Sequence, residues 1–302
     1  MMAGCLTVFI VSATLLVRYF SAISSSKQVS AELRDVYHAD ATNAPAMGEN
    51  PVSADHRDAA ALATVKDAVH LPQKPLSFEE LWPTSYAGNP HMMISKPFLD
   101  LMEKSKDIVG WLTIDGVLDE PVVQRDNAYY LTHDYLGRKN DTGSLFLDEG
   151  CHLKSVPMQL LIHGHNMKEG AMFGALKKYK VKDASFYQEH PFIQLNTLYE
   201  QARYVIFAVD ELSINPSKPH YLPFWAYSSF QSEKEFRDYI SDLREYSHYR
   251  CNVDVQPGDR LLLLATCQGS DEDARLVIAA RMLRPNEDEI GLKAAILTTK
   301  DR

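Results

Sequence analysis

Leu261-Leu-Leu-Leu-Ala-Thr-Cys267 is an apolar run that ends on a thiol, and eight positions on Arg275 opens a second run, Arg275-Leu-Val-Ile-Ala-Ala-Arg281. Segments of this length and composition read as buried strands. The first delivers one cysteine to a strand rim, and the second brings a guanidinium to the same edge. Upstream, Met158-Gln-Leu-Leu-Ile-His163 is a third such strand and runs directly into Gly164-His165-Asn166-Met167. Cysteine, histidine and arginine gathered at strand ends supply a nucleophile, a proton carrier and an anion stabiliser, the parts of a thiol acyl-transfer site.

Working outward, apolar or alternating runs recur over residues 108–114, 120–124, 143–148, 158–163, 192–197, 202–212, 260–266 and 275–283. Turns and loops join most of them, without the strand-helix alternation of a parallel sheet. The expectation is a mainly β chain closed into an eight-stranded barrel with short N-terminal helices. One helix interrupts the set before the cysteine strand. Ser232-Glu-Lys-Glu235 is a capping box, and Phe236, Tyr239, Ile240, Leu243 and Tyr246 follow at helical spacing.

The chain has 302 residues, 45% of them apolar, enough to bury a substantial core. Its formal charge of -9 makes nucleic acid an unfavourable partner. Cys5, Cys151, Cys251 and Cys267 show no Cys-x-x-Cys spacing, which argues against a zinc cage or a disulfide scaffold. Cys151 and Cys251 could pair in an oxidising compartment, but two free thiols are the expectation. His163 and His165 would share a strand face, yet no third ligand accompanies them, so no metal is expected.

Cys5 to Val17 is almost wholly apolar, and the pattern continues past Arg18. Residues 1–23 therefore read as an uncleaved signal segment or membrane anchor, with the enzyme at the cell membrane and its catalytic domain on the extracellular face. Residues 24–75, rich in Ala, Ser, Asn and Asp, read as a flexible extracellular tether. The catalytic domain is expected over 76–302.

Six motifs in order give the chain a family likeness: Asp107-Ile-Val-Gly-Trp111, Glu120-Pro-Val-Val-Gln124 with Asp126-Asn127 and Tyr129-Tyr-Leu131, Gly143-Ser-Leu-Phe-Leu-Asp148, Gly164-His-Asn-Met167, Thr266-Cys267, and Arg275-Leu-Val with Ala280-Arg281. Over about residues 97 to 285 the chain resembles the class B sortases, membrane-anchored cysteine transpeptidases of Gram-positive bacteria. The resemblance implies a sortase barrel with His165, Cys267 and Arg275 as catalytic residues and no cofactor. Ala265, Thr266 and Gln268 are the candidates for contact with bound peptide; Ala265 stands where relatives often have Ser. His163 stands where they commonly have Tyr, which implies a pocket-wall or structural residue. Arg281 is expected in framework or surface ion pairs, and Asp148 and Asn166 in scaffold hydrogen bonds.

The implied partners are secreted surface proteins with a C-terminal Asn-Pro-x-Thr-type sorting signal, cut after Thr, and a lipid II-type peptidoglycan amine as acceptor. Three alternatives stand beside this reading. A pilus-polymerising enzyme would use a pilin Lys as acceptor, a cysteine hydrolase would use water, and a binding module would have lost activity.

Overall fold

The computed structural model describes residues 2–41, 76–268 and 271–302. Ten strands are present among them: β1 (Ile108–Ile114), β2 (Leu118–Val123), β3 (Phe146–Leu147), β4 (Gln159–His163), β5 (Phe192–Thr197), β6 (Gln201–Ser213), β7 (Tyr249–Arg250), β8 (Leu261–Gln268), β9 (Asp271–Met282) and β10 (Lys300–Asp301). Eight close into a barrel in the order β1-β2-β3-β4-β8-β9-β6-β5, while β7 and β10 pair separately. Each apolar run singled out in the sequence supplies one barrel strand. The alternation of side chains across a strand explains why. In β5 every second residue is buried, whereas Leu261 to Leu264 of β8 are buried without a break because the strand is covered on both faces.

Two parallel contacts set the geometry of the site. β2 pairs with β3, and β4 with β8, in parallel; the other barrel neighbours are antiparallel. The β4–β8 register matches Gln159 with Leu261 and His163 with Ala265. Across the next ladder Ala265 faces Val277 and Cys267 faces Arg275.

Among the described residues five α-helices decorate the barrel: α1 (Met2–Ala41), α2 (Lys96–Lys104), α3 (Ser185–Glu189), α4 (Glu233–Tyr246) and α5 (Glu289–Leu297). α4 is the helix inserted before the cysteine strand. Its cap is the expected one, since the Ser232 hydroxyl accepts from the Glu235 N–H at 3.2 Å, and the Glu235 carboxylate reaches back to the Gln231 N–H at 2.6 Å. Phe236, Tyr239, Ile240 and Leu243 form its buried face. Cys151 and Cys251 are buried free thiols, and burial pushes the Cys151 thiol up to about 12.

The N-terminus departs from its sequence reading. Residues 24–41, assigned to the tether by composition, continue α1; the rest of the tether, 42–75, lies outside the described residues. The membrane expectation is corrected, and with it the anchor over 1–23 and the extracellular placement: among the described residues no helix is long and apolar enough to cross a membrane. Arg18 interrupts the apolar run, and Ser24-Ser-Ser-Lys27 follows closely. From Ile23 on, the apolar side chains of α1 serve the protein core instead. Ile23, Val29, Leu33 and Tyr37 are buried, and Tyr37 stacks on Trp111 of β1 with ring centroids 4.3 Å apart.

Candidate active site

The parallel register does most of the positioning. His163, the last residue of β4, is level with Ala265; two residues further along β8 Cys267 stands opposite Arg275, and His165 follows two residues after the end of β4. Residues opposite one another in a ladder share a face. The side chains of Cys267 and Gln268 lie outside the described part of the structure; the backbone of both belongs to β8.

A cleft of about 540 Å³ opens on this face. His163, His165, Ala265, Thr266 and Arg275 line it, together with Asn127, Leu131, Phe146, Ile214, Phe224 and Trp225. Four of the predicted site residues, His165, Ala265, Thr266 and Arg275, thus converge on one cavity. The loop walls were not foreseen. Trp225, 42% exposed within Pro223-Phe-Trp225, carried the one available signal, a large aromatic in an otherwise turn-like segment.

Glycines make the room that His165 needs. At Gly143, with φ at +61°, an added Cβ would come within 2.6 Å of the Tyr130 carbonyl oxygen and 2.9 Å of the His165 ring. At Gly164 a Cβ would lie 2.4 Å from Leu145 and 2.8 Å from Phe173. The His165 carbonyl accepts from the Phe173 N–H at 3.0 Å, and its ring Nε2 donates to the Leu131 carbonyl at 2.7 Å. That bond puts the hydrogen of a neutral ring on Nε2 and leaves Nδ1 as the basic nitrogen.

Arg275 is braced the same way, its Nη1 donating to the carbonyls of Glu272 at 2.6 Å and Ala274 at 3.0 Å. Thr266 is 2% exposed, and its hydroxyl has no hydrogen-bond partner among the described residues. Arg281, six positions beyond Arg275, serves the framework. It is fully buried, donates to the Asp254 carbonyl and pairs with Glu287 at 2.5 Å. The expected ion pair is there, though inside the protein.

Asp148 holds a polar corner of the cleft. Its carboxylate accepts from His163 Nε2 at 2.9 Å, Asn127 Nδ2 at 2.9 Å and the Gly150 N–H at 2.8 Å. Burial alone would raise this carboxyl, but the hydrogen bonds it accepts from His163, Gly150 and Asn127 outweigh it and hold the group below the usual carboxylate range.

A thiol strand, an imidazole braced by carbonyls and a guanidinium on one cleft can perform acyl transfer through a covalent intermediate. Comparison with known proteins gives the lineage. Sortase B of Listeria monocytogenes is 35% identical over 188 residues, which span 61% of this chain and 73% of that protein. The chain belongs to the sortase B family. It is therefore a sortase-type enzyme, a cysteine transpeptidase in general terms. Sortase B of Staphylococcus aureus is 27% identical over 199 residues, 64% of this chain and 78% of its own. Among solved structures, a Bacillus anthracis protein described as similar to sortase B matches with a TM-score of 0.62 and 26% identity over 86% of this chain and 96% of its own. A Staphylococcus aureus sortase B–substrate complex matches in fold, with a TM-score of 0.57 and 24% identity over 64% of this chain and 88% of its own. No family model matches the chain.

Proposed function

We propose that this sortase B relative cuts a C-terminal Asn-Pro-x-Thr-type sorting signal after Thr and joins the protein to a lipid II-type peptidoglycan amine. The observation that carries the reading is the convergence of His165 and Arg275 on one cleft, with Cys267 opposite Arg275 in the β8–β9 ladder. Cys267, as thiolate, attacks the Thr carbonyl carbon, and the pair of electrons displaced onto oxygen forms a tetrahedral oxyanion. Arg275 stabilises that charge through N–H groups its Nη1 bonds leave free. The C–N bond then breaks, His165 gives its proton to the departing amine, and a thioester remains. The acceptor amine attacks the thioester carbon and loses a proton to His165, and Cys267 leaves as thiolate. Thr266 supports the reading too, because a buried hydroxyl without a partner is costly until bound peptide supplies one. Ala265 and Gln268 flank the same position on β8 as further peptide contacts.

The test is mass spectrometry of the protein with Asn-Pro-x-Thr-x peptides, wild type beside Cys267→Ala. A Thr-terminated adduct on Cys267, lost in the variant and discharged by an added amine, is expected. Discharge by water alone, with amine ignored, would make the protein a hydrolase. Preference for a Lys side chain over a peptidoglycan-stem amine would make it a pilin polymerase. No adduct on reduced Cys267 with any peptide would end the proposal.

A further inference from the structure

The cleft holds a second imidazole that the proposed chemistry leaves unused. His163 is the last residue of β4, lines the same cavity as His165, and keeps about a quarter of its side chain exposed. Its partner fixes the hydrogen on one nitrogen. Asp148 is held in the ionised form and has no proton to give, so the 2.9 Å contact requires the hydrogen to sit on His163 Nε2. In the neutral ring Nδ1 is then a hydrogen-bond acceptor, and it has no partner among the described residues.

The ring is also held in place. Asn127 donates to the Asp148 carboxylate, Gln124 donates to its backbone carbonyl at 3.0 Å, and Phe146 lies against the imidazole with ring centroids 5.1 Å apart. Phe146, Ala265, Ile214, Phe224 and Trp225 give the same cleft an apolar wall beside this polar corner. A fixed acceptor in such a wall discriminates strongly, because a ligand that fails to meet it strips its water and returns nothing.

We propose that His163 is a specificity-determining residue whose Nδ1 accepts a hydrogen bond from a hydroxyl or carboxamide side chain of the bound sorting peptide. Its place in the sheet says which part of the peptide it reads. His163 stands two residues before the level of Cys267, roughly 7 Å along the strands, a distance that an extended peptide covers in about two residues. The side chain read therefore lies within about two residues of the cleaved bond. This inference rests on the transpeptidase reading above.

The experiment measures kcat/KM for peptide pairs that differ at one position by a near-isosteric exchange, Thr against Val or Asn against Leu, with wild type, His163→Phe and His163→Gln. Wild type should favour the donor-bearing peptide at one position by about 10-fold or more, chiefly in KM. His163→Phe should bring that ratio close to one, and His163→Gln, whose amide oxygen is again an acceptor, should restore part of it. An unchanged ratio in His163→Phe overturns the inference while leaving the transpeptidase reading intact. Wild type that turns over none of the peptides overturns both. A ratio lost equally in both variants would assign His163 a packing role instead.

Discussion

The cleft and the seam between α1 and the barrel hold their polar groups by different means. In the cleft His165 and Arg275 are braced by backbone carbonyls, of Leu131 and of Glu272 and Ala274, with no counter-ion on either among the described residues. Along the seam charged side chains hold one another. Arg34 pairs with Asp119 at 2.8 Å and lies 3.6 Å from Glu120, His38 meets Asp119 at 3.2 Å, and the Ser30 hydroxyl donates to Glu120. Trp111 Nε1 and the Thr113 hydroxyl add hydrogen bonds to Asp119 at 2.7 and 3.1 Å. A carbonyl orients a group without spending its charge, which leaves that charge for a substrate. A side-chain ion pair consumes the charge and makes attachment answer to pH.

The largest effects should fall on the cleft and leave the seam untouched. Cys267→Ala should abolish transfer, a loss of about 10⁴-fold or more, and His165→Ala should cost about 10²- to 10⁴-fold in kcat. Arg275→Ala should lose about 10²- to 10³-fold. Circular dichroism melting should find all three close to wild type, and a marked drop in melting temperature would break the distinction between the two regions.

Next in size, Tyr37→Ala removes the ring stacked on Trp111 and should weaken α1 docking by about 3 kcal/mol. Limited proteolysis within α1 reads this directly. Turnover should change little, and a fall in kcat to match the proteolysis would show that the seam also shapes the cleft.

Glu120 gives the pH test. Burial raises this carboxyl from 4.5 to about 7 against the opposing pull of Arg34. A raised carboxyl favours the docked state while protonated, so its contribution is complete below about pH 4.5 and is lost as the pH climbs through about 7. Hydrogen exchange across residues 23–38 should quicken over that window by an amount on the order of 3 kcal/mol. Glu120→Gln should flatten the slope, and an equal slope in that variant would assign the response to another group.

The smallest effect concerns a group held by neither means. Asp210 of β6 is fully buried, both its oxygens lack a hydrogen bond among the described residues, and burial drives its carboxyl far above the usual range. Asp210→Leu should raise stability by about 1 kcal/mol, since a buried polar group without partners is replaced by an apolar one. Thermal melting that falls by a similar amount would show that the carboxyl has a structural partner.

Much of the barrel was legible in the sequence because its information is local. Alternation and unbroken apolar runs report whether one or both faces of a strand are covered, and all eight runs found a place. The box at Ser232 likewise announced α4 through a bond only three residues long. The candidate site was legible as motifs, of which His165, Ala265, Thr266 and Arg275 meet on one cleft.

What surrounds those residues was not legible, for a physical reason. The Leu131 carbonyl that fixes His165 is a backbone atom every residue possesses, so nothing in the identity of Leu131 marks it. The Asp148–His163 pair joins residues fifteen positions apart, brought together where β3 pairs with β4. Residues 24–41 show the same limit from the other side. Their Ser- and Ala-rich composition carries no strong local signal, and the helix is held by Tyr37 on Trp111 and Arg34 on Asp119, contacts that exist only once β1 and β2 stand in place. The sequence by itself determined the strands, the inserted helix and the chemistry-bearing motifs, since each depends on neighbours along the chain. Only the tertiary structure decided which carbonyl braces the imidazole, which carboxylate fixes its neighbour and where the first helix lies, because those energies arise between segments far apart in the chain.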